Sequence, residues 1–122
     1  MRIVSVTTGR ADVGHLEPVW REIVKHLGWE LVIMNLGTHP LSVEWDKCLR
    51  SNLFHALDGD LPYEIVQIMG GASVHAASAY CRFEPDLVLV AGDRWEALAA
   101  VSAALPFGIP VAHIGGGDET TG

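Results

Sequence analysis

The chemistry in this sequence collects in three short blocks: Thr8-Gly9-Arg10-Ala11-Asp12-Val13-Gly14, Gly92-Asp93-Arg94-Trp95-Glu96, and His113 followed by Gly115-Gly116-Gly117-Asp118-Glu119. The first is a glycine-containing turn that matches neither the G-x-G-x-x-G nor the P-loop pattern. An arginine at the start of a helix opposes the helix dipole. Arg10 there points either to an anionic partner such as a diphosphate or to a solvated surface residue. In the second block Asp93 is either a helix cap, with Glu96 three residues on completing a box-like start, or an active-site carboxylate. Asp118 and Glu119 are adjacent carboxylates beside glycines, where acid/base work and a plain solvated loop are both open readings. The histidines at 15, 26, 39, 55, 75 and 113 show no metal-ligand spacing, and His113 stands out only by its place near the end of a strand.

These blocks can act together only if the elements between them carry all three to one edge. Residues 3–7 (IVSVT), 30–36 (ELVIMNL), 63–69 (YEIVQIM), 87–91 (LVLVA) and 109–114 (IPVAHI) read as strands. The run at 87–91 is continuous and apolar, as in a parallel strand buried on both faces. A helix is expected from about Val13 or His15 to Leu27, with Pro18 in its first turn and a stripe of Leu16, Val19, Trp20, Ile23, Val24 and Leu27. An irregular helix is expected over 43–57, with Trp45, Leu49 and Leu53 on one side, and a helix capped by Ser73 over 73–83. Another starts at Asp93 and presents Leu98, Val101 and Leu105 to the sheet, its alanines allowing close approach. Alternating strands and helices make a doubly wound parallel α/β sheet, Rossmann-like, with right-handed crossovers. The expected order is 3-2-1-4-5, which sets Arg10 and Asp93 on either side of the crevice at the topological switch point.

The chain has 122 residues, 49% of them hydrophobic, enough for one domain with a real core. Eight basic and fifteen acidic residues give a net charge of −7. That balance argues against nucleic acid, which needs a clustered basic face, but leaves room for a small phosphorylated ligand. Cys48 and Cys81 stand alone in unrelated segments and read as reduced, buried thiols of a cytoplasmic protein. No signal-peptide pattern or membrane-length apolar run is visible. The sequence stops where a further helix should begin, so residues 1–122 are expected to be an amino-terminal domain, incomplete at its carboxyl end, of a longer protein.

Taken together, residues 6–14, 85–96 and 109–114 with the glycines after them resemble the hydrolysing UDP-N-acetylglucosamine 2-epimerases, in the branch serving sialic-acid-type sugars. The resemblance implies one of two Rossmann-like domains of the glycosyltransferase-B type, with the second nucleotide-binding domain absent here. It implies elimination of UDP across C1–C2 to a glycal, then hydration to N-acetylmannosamine, with no metal or nicotinamide cofactor. Carried over by motif, Arg10 contacts the diphosphate and Asp93 is the active-site carboxylate. Gly9, Asp12, Arg94, Glu96 and His113 join Arg10 as candidate substrate-binding residues, and Asp118 and Glu119 join Asp93 as catalytic candidates. Asp118 falls where the family usually has glutamate, after a His-Gly-Gly that here reads Gly115-Gly116-Gly117. The shorter side chain shifts a carboxylate by roughly one bond, an error that can cost about 100-fold in rate, so that either Glu119 substitutes or activity is weakened. The implied partner is a UDP-sugar, in a homo-oligomeric full-length enzyme, with this stretch inactive alone. Two other readings remain: a glycosyltransferase of the same architecture, with His15 on the acceptor side, and a non-catalytic nucleotide-sugar-binding module.

Overall fold

In the computed structural model, residues 1–46, 48–50 and 59–116 are described. The chain runs β1 (Arg2–Thr7), α1 (Arg10–Lys25), β2 (Glu30–Asn35), a 3-10 turn (Val43–Trp45), β3 (Leu49–Arg50), α2 (Pro62–Phe83), β4 (Leu87–Ala91), α3 (Trp95–Ala104) and β5 (Val111–Ile114). All four strand pairings are parallel, and the sheet order is β3-β2-β1-β4-β5. The chain therefore winds outward from β1 to β3, then crosses to β4 on the other side. This is the expected doubly wound sheet, with its switch point between β1 and β4.

Alternation along each strand divides the core in two. Val4, Val6, Val32, Met34, Val88 and Val90 face α2 and α3, while Ile3, Leu31, Ile33, Leu89 and Ala91 face α1. Asp86 fixes where β4 begins: its carboxylate accepts from the Arg2 N–H at 2.8 Å, and its own N–H donates to the Arg2 carbonyl at 2.8 Å.

Several elements differ from the sequence expectation. Residues 63–69 are not a strand but the first two turns of α2, a single 22-residue helix that also absorbs Ser73, which is no cap. Pro62 opens that helix, and the Glu64 carboxylate reaches back to the Leu61 N–H at 3.2 Å. Ile68, Ala72, Ala76, Ala79, Tyr80 and Phe83 then fall on one buried stripe. The third strand of the sheet is instead the short Leu49–Arg50. The helix expected over 43–57 is replaced by the 3-10 turn and β3, and the rest of that stretch lies outside the described residues.

α1 begins at Arg10, three residues earlier than expected, so Pro18 sits in mid-helix. The helix ends at Lys25, so Leu27 lies beyond it and is 100% exposed, and Val24 in its last turn is 42% exposed rather than in the core. Nor are the cysteines buried as expected: Cys81 is exposed and Cys48 only partly covered. Of the stripe expected in α3 only Val101 packs against the core: Leu98 and Leu105 are exposed, and Ala97, Ala99, Ala100 and Ala104 are buried. The small side chains set the helix close to α2, where the Tyr80 hydroxyl donates to the Ala100 carbonyl at 2.7 Å. Burial raises the Tyr80 pKa far above that of a free phenol, so the group stays a donor.

On the opposite face the fully buried Trp20 donates its indole N–H to Ser5 Oγ at 2.7 Å and packs edge-on against Trp45. Ser5→Ala removes the acceptor and leaves a buried N–H unpaired, which costs about 1–3 kcal/mol. The expected result in urea is a lower unfolding midpoint at unchanged slope. An unchanged midpoint would show that the indole finds another partner.

Candidate functional site

At the carboxyl edge of the sheet, over the switch point, lies a cavity of about 450 Å³. Thr8, Gly9 and Arg10 come to it from the end of β1, residues 37–40 from the end of β2, and Arg94 and Glu96 from the β4–α3 turn. Gly59, Asp60 and Ile68, from the start of α2 and the segment before it, close another side. The helices α1 and α3 both begin here, and no side chain caps either amino-terminal end. Such ends carry partial positive charge and unpaired N–H groups. With Arg10 and Arg94 beside them, they make this edge a place for an anion.

Asp12 organises the turn without lining the cavity. Because α1 starts at Arg10, Asp12 is its third residue, and its side chain points back along the chain. Its Oδ2 accepts from the Thr8 N–H at 2.9 Å and from the Thr8 hydroxyl. Its Oδ1 faces Gly92, where a Cβ would stand 2.7 Å away. Gly92 has φ +77°, a left-handed conformation that favours glycine. Asp12 thus joins the turn after β1 to the turn after β4.

The turn after β2 is folded inward by Asn35. Its side-chain amide donates to the His39 carbonyl at 2.8 Å, and its Oδ1 accepts from the Gly37 N–H at 2.9 Å. Gly37 then lies so close to the Thr8 carbonyl that no side chain fits between them. His39 returns to β1, its Nε2 2.9 Å from the Thr7 hydroxyl. Burial lowers the His39 pKa, which Asp12 opposes and Arg10 and Arg94 reinforce, so the ring is neutral at pH 7. His39 was not singled out from the sequence. The available signal was its place just beyond the carboxyl end of an inner strand.

Asp93 is exposed in the β4–α3 turn. It is not the cap that the sequence suggested: the N-cap position belongs to Arg94, whose carbonyl accepts from the Ala97 N–H at 3.0 Å. The box reading of Glu96 falls with it. Glu96 is buried, and its Oε2 lies 3.5 Å from Arg94 Nε. Arg10 and Arg94 both line the cavity, whereas Asp93 stands next to it in sequence without lining it. His113, exposed at the end of β5, has its Nε2 2.7 Å from the Gly92 carbonyl and so bears on the same turn from the other side. Asp118 and Glu119 lie outside the described residues. His15 is exposed on α1 and does not line the cavity. Among the described residues no three His, Cys, Asp or Glu side chains converge to hold a metal ion. Nor is any helix there long and apolar enough to cross a membrane.

Comparison with known proteins adds the following. Residues 22–122 match the family described as UDP-N-acetylglucosamine 2-epimerase. The UDP-N-acetylglucosamine 2-epimerase of Neisseria meningitidis serogroup B is 29% identical over 123 residues, covering 96% of this chain and 33% of that protein. The hydrolyzing UDP-N,N'-diacetylbacillosamine 2-epimerase of Legionella pneumophila subsp. pneumophila is 30% identical over 129 residues, covering 98% of this chain and 34% of that one. The chain thus spans about a third of the length of the curated relatives it matches. The crystal structure of the Neisseria meningitidis UDP-GlcNAc 2-epimerase bound to UDP-GlcNAc superimposes with a TM-score of 0.81 at 24% identity, over 98% of this chain and 33% of that one.

The Asp12–Gly92 approach is directly testable. Gly92→Ala both forces a side chain into a left-handed backbone and places its Cβ 2.7 Å from the Asp12 carboxylate. A loss of about 1–3 kcal/mol in unfolding free energy is expected, and an alanine variant as stable as the parent would show that the two turns are not held together at this point.

Proposed function

Because the chain belongs to the UDP-N-acetylglucosamine 2-epimerase family, we propose that it is the amino-terminal Rossmann-like domain of a hydrolysing member. A second nucleotide-binding domain would complete the enzyme. The substrate is a UDP-sugar with a 2-acetamido group, UDP-N-acetylglucosamine first among them, and the product is N-acetylmannosamine with UDP. The observation that carries this reading is the cavity at the β1/β4 switch point, where Arg10, Arg94 and two uncapped helix ends converge. A diphosphate leaving group needs that concentration of positive charge in a chain whose net charge is −7. The relative named as hydrolyzing supports the choice of reaction type.

In this mechanism a base takes the proton from C2 while the C1–O bond breaks, and UDP departs with the electron pair. Arg10 and the start of α1 hold the diphosphate and stabilise the charge that grows on it. Water then adds its oxygen to C1 of the glycal, and a proton returns to C2 from the opposite face. Asp93 is the carboxylate assigned to proton transfer on this edge, with Asp118 and Glu119 as its partners in the segment that follows β5. Gly9 admits the phosphate close to the backbone. Asp12 and His113 hold the turns that carry Arg10 and Asp93. The balance closes with water as the only co-reactant.

Two measurements on the full-length protein test this. Turnover of UDP-N-acetylglucosamine in heavy water is expected to place one solvent deuterium at C2 of the N-acetylmannosamine released, and a product carrying only the original hydrogen there would exclude elimination. Asp93→Asn removes the exchangeable proton and the charge, and since Asp93 is exposed and not the N-cap, the melting temperature should hardly move. Turnover should fall at least about 100-fold, whereas wild-type turnover would move the catalytic role to Asp118, Glu119 or the second domain.

A further inference from the structure

Among the described residues, three buried side-chain polar atoms have no hydrogen-bond partner: His39 Nδ1, Trp45 Nε1 and Glu96 Oε2. Trp45 belongs to the packing around α1. The other two come from different elements, the turn after β2 and the first turn of α3, yet both line the same cavity. Their residues are 8% and 7% exposed, so water does not readily complete them. A buried polar group without a partner is costly, and more so when charged. Two residues with such atoms on one cavity wall mark a place where a ligand supplies the missing partners.

The chemistry of the two atoms restricts that ligand. An ionised carboxylate only accepts hydrogen bonds, and it repels a phosphate. Arg94 Nε stands 3.5 Å from Glu96 Oε2, beyond a well-formed hydrogen bond, on a side chain 60% exposed to screening solvent. The group that meets Oε2 is therefore a neutral donor, a hydroxyl or an amide N–H. His39 already uses Nε2 on Thr7, which leaves Nδ1 as a single neutral contact. The same cavity wall thus offers Arg10 and Arg94 to an anion, and Glu96 and His39 to a neutral, hydroxyl-bearing group.

Resting on the nucleotide-sugar reading above, we infer that Glu96 is a specificity-determining residue, its Oε2 accepting a hydrogen bond from a hydroxyl or the acetamido N–H of the sugar, with His39 Nδ1 as the second contact. Glu96 therefore contributes to the recognition of the sugar and not of the nucleotide. A carboxylate in the first turn of α3 could instead act only on the helix dipole. That role would alter stability without telling a sugar nucleotide from the bare nucleotide.

The test is calorimetric binding of UDP-N-acetylglucosamine and of UDP to the full-length protein, its Glu96→Ala and its Glu96→Gln variants. Glu96→Ala is expected to weaken UDP-N-acetylglucosamine by at least about tenfold, the value of a charge-assisted hydrogen bond, while UDP changes by less than about twofold. Glu96→Gln keeps an acceptor without the charge and should recover part of the loss, which also decides the matter if the alanine variant does not fold. Equal weakening of both probes, or none of either, overturns the assignment of Glu96 and leaves the proposed function standing. Failure of the wild-type protein to bind either probe overturns the proposed function and this inference with it.

Discussion

The Asp12 carboxylate is buried between the turn after β1 and the turn after β4, accepting from Thr8 and facing Gly92. Without it both turns lose a contact. Thr8 would lose the acceptor of its backbone N–H, and the left-handed Gly92 would lose the surface it rests on. A charge held in so enclosed a place demands donors in return, and Thr8 supplies two of them. Arg10 and Arg94 stand on the cavity wall because these turns put them there. The edge where a ligand enters is thus organised by a residue that does not line the cavity.

Around this point the charges are separated in a useful way. The chain carries a net charge of −7, which at long range disfavours an anionic ligand. Charges farther apart than about 8 Å are largely screened at physiological ionic strength. Close to the cavity Arg10, Arg94 and the starts of α1 and α3 outweigh the distant carboxylates. Glu96 and Asp60 line the same cavity and limit where a phosphate can sit. The outcome is a cavity whose wall carries both cationic and acceptor side chains.

The packing of α2 against α3 explains how this edge is kept rigid. Ala72, Ala76 and Ala79 on one helix and Ala99, Ala100 and Ala104 on the other are all buried in the same cluster. Small side chains bring the backbones close, and the Tyr80–Ala100 hydrogen bond ties the two helices across the contact. That arrangement turns Leu98 and Leu105 outward. It also sets the rotation of α3, and with it the direction of Glu96 in the first turn.

The sequence by itself determined the strands β1, β2, β4 and β5, their order 2-1-4-5 and the edge at which the polar residues gather, but not the strand that flanks β2. A short apolar run between turn residues has few other places to go than the middle of a sheet, and a parallel connection has one favoured hand. The place of Arg10 and Arg94 at that edge followed from the same local logic, whereas Asp93, expected across the crevice from Arg10, does not line the cavity. Residues 63–69 were different, because their apolar spacing suits a strand or a helix equally well. Only the fit of Ala72, Ala76 and Tyr80 against the sheet and α3 decided for the helix. Side-chain direction was likewise a tertiary matter. A helix turns about 100° per residue, so moving the start of α1 by three residues took Asp12 from an open loop to the inside of a turn. The burial of Glu96 and the return of His39 to Thr7 depend on contacts between segments far apart in the chain. No periodicity along the sequence encodes them, because the atoms that make them meet only when the sheet has closed.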